Sequence, residues 1–182
     1  MQARGKTVAM LLPNHYNANL FDTLRDCIVG GGGKILIAGF QENEPLTDSM
    51  RKEVVTIDVD AQNLSPGDYN ALVIVDSSTP EEMIASRKNL NLIRRSYESQ
   101  KIIGTVDSGV ELLIAAIGSL LSGRKVTGSE ASRIDLESIG AVFIDKDVVV
   151  DEYLITARSV EDAEEFCQVL LDRLQAVGDL AA

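Results

Sequence analysis

A strand, a tight turn and the start of a helix are predicted by one stretch of the chain, Lys101-Ile-Ile-Gly-Thr-Val-Asp107-Ser108-Gly109-Val-Glu-Leu-Leu113. This order is the layout of a nucleophile elbow, which holds one side chain at the carboxyl end of a buried strand. A strand that reverses into a helix within about one residue usually holds its apex at positive φ, and Asp tolerates that region better than most residues. We therefore expect Asp107 at the apex, with a positive φ.

Short apolar runs alternate with helical patterns around this stretch. The runs cover residues 6–13, 34–38, 54–59, 71–75 and 101–106, and the helical patterns cover 19–29, 80–99 and 109–121. The second helical pattern is predicted to start with Thr79 as its N-cap and Pro80 as its first residue. Strands that are apolar almost throughout are typical of a parallel sheet with helices on both faces. The order predicts a series of βαβ units.

The part of the chain after Gly123 has a different pattern. It predicts a short strand near Lys125, a helix over 132–138, strands over 141–144, 148–150 and 153–156, and a last helix over 160–177. The polar run Asp145-Lys146-Asp147 is typical of a hairpin tip. We therefore expect one α/β domain over residues 1–182. It should be a three-layer sandwich with a flavodoxin-like, mostly parallel sheet, helices on both faces and an added antiparallel hairpin.

Composition and charge exclude several classes of protein. The 182 residues are 45% hydrophobic and 25% charged, which is typical of a globular protein and not of a disordered chain. The formal net charge is -11, spread along the chain, and it repels nucleic-acid backbones and anionic lipids. The longest apolar runs are far shorter than the ~20 residues of a membrane span, and residues 1–15 lack the apolar region of a signal peptide. We expect a cytoplasmic protein that binds neither nucleic acid nor membranes.

The two cysteines and the glycine run at 30–33 indicate structural roles and not a metal site or a phosphate site. Cys27 and Cys167 fall in helical patterns far apart in the sequence, and neither has a neighbour at the spacing of a metal site. We interpret both as reduced packing residues, with a disulfide between them as the alternative. The glycines precede a strand and lack the Lys-Ser/Thr of a phosphate loop, so we interpret them as the end of a helix. We expect no cofactor and no metal.

Ligands of parallel α/β sheets bind beyond the carboxyl ends of the strands, which makes the segments after Pro13, Val75 and Val106 the candidate site. In this context the chain resembles the ThiJ/PfpI (DJ-type) superfamily, relatives of the class I glutamine amidotransferases, whose elbow carries a cysteine. The resemblance covers nearly the whole chain. Besides the elbow it rests on the order and spacing of Leu-Leu-Pro13, Tyr69-Asn-Ala-Leu-Val-Ile74, Leu121-Ser-Gly-Arg-Lys-Val-Thr127, Ile139-Gly-Ala141, Val148-Val-Val-Asp151 and Leu154-Ile-Thr-Ala-Arg158.

The chain departs from this family where the family's chemistry lies. The resemblance implies a cysteine nucleophile whose thiolate is stabilised by a neighbouring protonated glutamate. The elbow position here is Asp107, and the glutamate position falls on Asn19, or on Asn17 if the alignment slips. An amide cannot replace a carboxyl group as a proton donor.

Two further segments differ from the family pattern. The family's Pro-Gly-Gly helps to bind an oxyanion, whereas this chain has Val75-Asp76-Ser77, and an acid there opposes the charge of an oxyanion. Ser108 follows the apex where the family has His or Ala. The segment Thr127-Gly-Ser129-Glu130 stands where the family often has a second active-site histidine.

Two roles are open to Asp107. As an anion it would accept hydrogen bonds from Asn19, from helix N-terminal N–H groups and from Ser77, and it resembles a cysteine oxidised to sulfinate. As a reactive group it would act as nucleophile or base together with His15, the one histidine of the chain.

The leading prediction for function is a ThiJ/PfpI-like protein without cysteine-dependent catalysis that binds a small polar ligand or a protein partner at the old active-site crevice. The candidate binding residues are Asp76, Ser77, Ser108, Ser129 and Glu130. One alternative is a hydrolase or lyase that uses Asp107 with His15. A second alternative is the family-type activity of an intracellular peptidase, deglycase or glyoxalase. The resemblance and the apolar character of several segments imply a homodimer.

Overall fold

A seven-stranded sheet forms the centre of the protein in the computed structural model, which describes residues 2–50, 52–76, 78 and 80–179. The strands in chain order are β1 Thr7–Leu11, β2 Lys34–Gly39, β3 Pro45–Thr47, β4 Val54–Thr56, β5 Val59–Asp60, β6 Ala71–Ile74, β7 Ile102–Val106, β8 Lys125–Val126, β9 Val142–Phe143, β10 Val148–Asp151 and β11 Leu154–Ala157. The sheet order is β10-β11-β7-β6-β1-β2-β5, with β10 antiparallel to β11 and the other pairs parallel. This confirms the predicted mostly parallel sheet with an added hairpin.

Helices cover both faces of the sheet. They are α1 Ala18–Gly30, α2 Pro80–Ala85, α3 Arg87–Glu98, α4 Gly109–Ile117, α5 Glu130–Ser138 and α6 Ala163–Asp179. In β1, Val8 and Met10 pack with α1 and α6, whereas Ala9 and Leu11 pack with α2, α3 and α4. Because both faces are covered, each side chain of the strand centre is buried, and this accounts for the unbroken apolar runs in the sequence.

One glycine in β7 sets the distance between the sheet and α6. A Cβ added to Gly104 would lie 2.4 Å from Cζ of Phe166, whose side chain is fully buried. A larger residue at position 104 would push the helix away from the strand. The centre of β7 therefore packs directly against the first turn of α6.

Several predicted boundaries were wrong in detail. The run at 54–59 is not one strand, because β4 pairs with β3 in a separate antiparallel sheet and β5 joins the main sheet beside β2. The helical pattern at 80–99 is two helices, and Ser86 caps the second through a bond from the backbone N of Asn89. The predicted N-cap Thr79 lies outside the described residues. The short strands β4 and β5 and the N-cap inside the predicted helix depend on contacts with the rest of the fold. The periodicity of apolar residues in the sequence contains no information on those contacts.

The hairpin tip was predicted in the wrong place. The antiparallel pair is β10 with β11, and Glu152, at a φ of 55°, lies in its turn. Asp145 and Asp147 instead precede β10, where both form ion pairs with Arg158, at 2.9 and 3.3 Å. The polar run is therefore a loop held by a cation at the end of β11.

The cysteines form a disulfide, so our expectation that both are reduced was wrong. Cys27 of α1 and Cys167 of α6 are bonded, with Cα atoms 6.5 Å apart across 140 positions of sequence. The two helices pack side by side on the same face of the sheet, so their inner surfaces meet. Their pairing follows from the topology and not from the sequence spacing.

Candidate functional site

The turn between β7 and α4 has the geometry predicted for an elbow. Asp107 has a φ of 50°, is half-buried, and donates its backbone N–H to the carbonyl of Ala157 at 3.2 Å. A Cβ at Gly109 would lie 3.0 Å from the carbonyl oxygen of Ile74, so the close approach of α4 to β6 favours glycine here. The predicted positive φ of Asp107 is confirmed. Its side chain is held at the carboxyl end of the central strand.

The surroundings of the Asp107 carboxyl group disfavour its charge. Burial raises its pKa above the usual range, and the nearby carboxylates of Asp76 and Glu161 raise it further, with smaller contributions from Glu111 and Asp162. Among the described residues, none of the largest contributions to this pKa comes from a cation. The crevice around the elbow is therefore a concentration of negative charge.

Asp76 follows β6 and lies beside the elbow. The hydroxyl of Ser108 donates a hydrogen bond to Oδ1 of Asp76, which ties the residue after the apex to the neighbouring strand end. The backbone carbonyl of Asp76 also accepts from the N–H of Asn17 at 3.5 Å. Ser77 lies outside the described residues. The position that the resemblance assigns to an oxyanion-binding turn thus carries an acceptor.

The two asparagines considered for the glutamate position lie at the start of α1. Asn17 is the N-cap, and its Oδ1 accepts from the backbone N of Leu20 at 3.1 Å. Asn19 is exposed in the first turn, and across the described residues its side chain forms no hydrogen bond with Asp107. The expected Asp107 to Asn19 bond is therefore not formed, because the helix turns Asn19 outward.

A small cavity lies at the junction of α1 with the segment before α6. It has a volume of about 240 Å³ and is lined by Asn17, Asn19, Leu20, Thr23, Val160 and Glu161. Glu161 is also one of the carboxylates that raise the pKa of Asp107. The cavity therefore shares Glu161 with the acids that act on Asp107, while Asp107 itself is not among its lining residues.

His15 lies in the loop after β1 with a φ of 57°. Its backbone N–H donates to the carbonyl of Thr47 at 2.8 Å, and its carbonyl accepts from the hydroxyl of Ser78 at 3.4 Å. Among the described residues its imidazole forms no ion pair or hydrogen bond with Asp107. The direct contact that a nucleophile and base pair would use is not formed in this structure.

Ser129 and Glu130 have local roles at the start of α5. The Ser129 hydroxyl caps the helix by accepting from the backbone N of Ser132 at 3.3 Å. The Glu130 side chain is 84% exposed and lies 3.7 Å from Arg133. Between these residues and the sheet, buried Thr127 bonds through its backbone N to Thr156 Oγ1 at 2.9 Å. Among the described residues, no hydrogen bond or ion pair joins Ser129 or Glu130 to Asp107, so the place of this segment in the site stays a prediction.

Three carboxylates of the crevice were missed as site residues. Glu111 lies in the first turn of α4, where burial raises its pKa and Glu81 and Asp135 raise it further. Glu161 and Asp162 were interpreted from the sequence as acids that favour a helix start. That interpretation holds for Asp162, which accepts from the backbone N of Ser159 at 3.1 Å. Glu161 and Asp162 act on Asp107 because β11, which precedes them, lies beside β7. The sequence around these residues does not reveal that pairing of strands.

Comparison with known proteins identifies the family. The model of the DJ-1/PfpI family matches residues 6–173. The chain belongs to the DJ-1/PfpI family. This confirms the resemblance drawn from the elbow and the six flanking segments. Within the described residues, no group of three or more His, Cys, Asp or Glu has the geometry of a metal site, and no helix is long and apolar enough to cross a membrane.

Relatives of this DJ-1/PfpI chain match it over most of its length. It is 25% identical over 163 residues to General stress protein 18 of Bacillus subtilis, covering 89% of this chain and 94% of that protein. It is 26% identical over 172 residues to Protein/nucleic acid deglycase 2 of Escherichia coli, covering 94% and 99%.

Solved structures share the fold of this DJ-1/PfpI chain. A two-domain protein of Anabaena variabilis, with DJ-1/ThiJ/PfpI-like and ferritin-like domains, superposes with a TM-score of 0.86 at 26% identity, over 93% of this chain and 50% of that one. The chain thus spans about half the length of that protein. DJ-1beta of Drosophila melanogaster superposes with a TM-score of 0.82 at 20% identity, over 93% and 90%, and shares the fold.

Proposed function

We propose that this DJ-1/PfpI protein carries out no cysteine-dependent reaction and binds a small polar ligand in the crevice around Asp107. The observation that carries the proposal is the chemistry of the elbow: its apex is a carboxyl group, and the two cysteines of the chain are bonded to each other between α1 and α6. A disulfide sulfur is not a thiolate nucleophile. Addition of a thiol to an aldehyde or acyl carbon therefore has no group to begin it.

The charge of the crevice favours a ligand rich in hydrogen-bond donors. Asp76, Glu111 and Glu161 surround Asp107, and carboxylates only accept hydrogen bonds when they are ionised. An ammonium or amide group would satisfy these acceptors and relieve the repulsion among them. An anionic ligand would add to that repulsion.

Deglycase activity is the second candidate. Identity of 26% over 94% of this chain with an Escherichia coli protein named as a protein/nucleic acid deglycase favours it at the level of the family. The chain would then need a nucleophile other than cysteine at the elbow. Asp107 would give an unstable anhydride with an acyl carbon, which ranks this candidate second.

The first experiment separates the two candidates. Glyoxal consumption is measured with untreated protein, with protein reduced and alkylated by iodoacetamide, and with Asp107→Asn. We expect no consumption above buffer in all three samples. Turnover that alkylation or Asp107→Asn abolishes would contradict the proposal and favour the deglycase.

The second experiment tests ligand binding. Thermal unfolding is measured with putrescine or argininamide, and with succinate as the anionic control. A ligand that binds only the folded state raises the melting temperature. We expect putrescine and argininamide to raise the melting temperature of the native protein and of the Asp26→Asn control. The Asp26 side chain is 74% exposed, so its replacement leaves the crevice unchanged. Stabilisation should be lost in Asp107→Asn; equal stabilisation in both variants would contradict the proposal.

A homodimer belongs to the same proposal. Met50 and Val54, in the β3–β4 hairpin region, are 67% and 64% exposed, which is unusual for large apolar side chains and supports a covered surface. Sedimentation velocity at micromolar concentration should give a dimer. A single monomeric species there would contradict it.

A cytoplasmic location is also proposed. In a reducing compartment the disulfide would depend on shielding from small thiols, and Cys167 is completely buried whereas Cys27 is partly buried, so the shielding comes from the side of α6. Thiol labelling of protein taken directly from cells, with and without prior reduction, would reveal the state of the pair. Labelling without prior reduction would show that the cysteines are free in the cell.

A further inference from the structure

Helix α3 carries a concentration of positive charge on an acidic protein. Four of the 17 Lys and Arg residues lie in its twelve residues, whereas the whole chain has a net charge of -11. These four residues are Arg87, Lys88, Arg94 and Arg95. The helix lies on the face of the sheet opposite to α1 and α6, away from the disulfide.

The cations of α3 border a groove between the helix and the loop after β5. Its volume is about 580 Å³, within the range of small-molecule sites. Arg87, Asn91 and Arg94 line it from one side of the helix, because positions four and three residues apart lie on the same face. Gln62 lines it from the loop, where its backbone N donates to Oδ1 of Asp60 at 2.9 Å. The rest of the lining consists of two further cations, Lys88 and Arg95, and one carboxylate, Glu98.

Two of the guanidinium groups have no carboxylate partner in the part of the chain that the structure describes. Arg95 donates from Nη2 to the carbonyl of Ala61 at 3.1 Å and from Nε to that of Asn91 at 3.4 Å, so neutral acceptors hold it in place. Within the described part of the chain, Arg87 takes part in no ion pair or hydrogen bond. The charges of these two groups are therefore not neutralised by the protein.

The other two cations are paired. Nζ of Lys88 lies 2.6 Å from Asp60 and also donates to the carbonyl of Phe40 at 3.1 Å. Arg94 lies 3.4 Å from Glu98, with both side chains more than half exposed, and such surface pairs are weak. Arg94 is therefore free to exchange Glu98 for a stronger anionic partner.

Two of the four cations lie where they do not serve the stability of α3, whereas Arg95 lies in its last turn, where the helix dipole favours a cation. Arg87 and Lys88 lie in its first turn, where the helix dipole favours acids. Four helices have acids in their first turns, namely α2, α4, α5 and α6, whereas α1 has none. Helix α3 goes further and begins with two cations, and a departure of this kind from a local rule indicates a functional constraint on that segment.

We propose that the α3 groove, lined by Arg87, Arg94, Arg95, Asn91 and Gln62, binds a small molecule that carries a phosphate group. Guanidinium groups donate paired hydrogen bonds that match the geometry of phosphate oxygens, and the two amides add neutral donors. The acidic surface elsewhere repels a long polyanion, which limits the ligand to one the groove can enclose. This site is separate from the elbow and does not depend on the function proposed for Asp107.

The test uses pyrophosphate as the probe. Isothermal titration is carried out at low ionic strength on the native protein, Arg87→Gln and the control Arg133→Gln, which removes an exposed arginine of α5. We expect binding to the native protein and to the control. Arg87→Gln should weaken it by at least about tenfold, because it removes a charged donor from the groove. The exposed Arg87 side chain makes no contact whose loss would unfold the protein.

Three outcomes would overturn the proposal. The first is an absence of pyrophosphate binding to the native protein. The second is binding that Arg87→Gln and Arg95→Gln leave unchanged, which places the anion elsewhere. The third is binding of a short single-stranded oligonucleotide where pyrophosphate does not bind, which assigns the groove to an extended polyanion. Asp107→Asn should not weaken pyrophosphate binding, so failure here is distinct from failure at the elbow.

Discussion

The crevice at Asp107 and the groove on α3 have opposite charge within one chain. Four carboxylates from three chain segments act on Asp107 at the elbow, whereas the groove collects cations from one helix. A net charge of -11 describes neither region. The contrast shows that local charge, and not the total, decides which ligands each surface can hold.

The two regions also differ in how they respond to pH. The crevice is built from carboxyl groups, and the pKa of Asp107 is raised by burial and by Asp76. The groove is built mainly from arginines, which stay charged at any ordinary pH. Acidification should therefore change ligand binding at the elbow and leave the arginines of the groove charged.

Reduction of the disulfide gives the largest expected effect. Cys27 and Cys167 close a loop of 140 positions, and loss of such a link lowers the free energy of unfolding by about 2–5 kcal/mol. Urea unfolding with and without reductant measures the change. The double variant Cys27→Ala/Cys167→Ala is the control, because reductant should no longer affect it.

The same treatment distinguishes the two regions. Asn17 caps the start of α1, and Glu161 lies just before the start of α6. Loosening of these two helices should therefore raise hydrogen exchange around the crevice. Exchange in α3, on the other face of the sheet, should change less. An equal increase in α3 would show that the two faces do not open independently.

Asp107→Asn should change stability by an intermediate amount. The folded-state pKa of Asp107 is raised, so the folded protein binds the proton more tightly than the unfolded chain. Stability of the native protein then falls as pH rises from the unfolded pKa through the folded one. Asparagine removes the buried charge and should stabilise at neutral pH by about 0.5–2 kcal/mol, with the gain disappearing in acid.

Urea unfolding over a range of pH measures this difference. Asp26→Asn is the matched control, since it removes an exposed acid that does not act on Asp107. A gain that persists unchanged at low pH would show that it does not come from the charge. A loss of stability at neutral pH would show that the carboxylate is stabilised by contacts that outweigh its burial.

The sequence predicted the elbow because its determinants are local. An apolar strand that meets a glycine-bearing helix start must turn at Asp107, and the structure has that turn at a φ of 50°. The disulfide could not be predicted in this way. Cys27 and Cys167 meet because α1 and α6 share one face of the sheet, and that depends on the topology of the whole fold.

The basic groove was missed for a different reason. Arg87, Asn91 and Arg94 recur at helical spacing, so the signal was present in the sequence. The charged residues were interpreted as spread along the chain, and the helical pattern was followed through its apolar positions. Gln62 approaches the helix only because β5 pairs with β2 and brings the loop after it to α3.

Reversal of the charge at Arg87 gives the smallest and most specific effect. Arg87→Glu places an acid in the first turn of α3, where the helix dipole favours it, and should raise the free energy of unfolding by about 0.3–1 kcal/mol. The same change should abolish pyrophosphate binding, because it adds a repulsive charge to the groove. Urea unfolding and titration on one preparation measure both effects.

Arg133→Glu is the matched control for that reversal. Arg133 lies within α5 and pairs with Glu130 and Glu137, so its reversal creates repulsion and should lower stability while pyrophosphate binding persists. Opposite changes in stability and binding at Arg87 would mean that the native arginine is kept at some cost to the helix. If Arg87→Glu lowers stability, the cation supports the fold, and the contrast between groove and crevice no longer indicates two ligand sites.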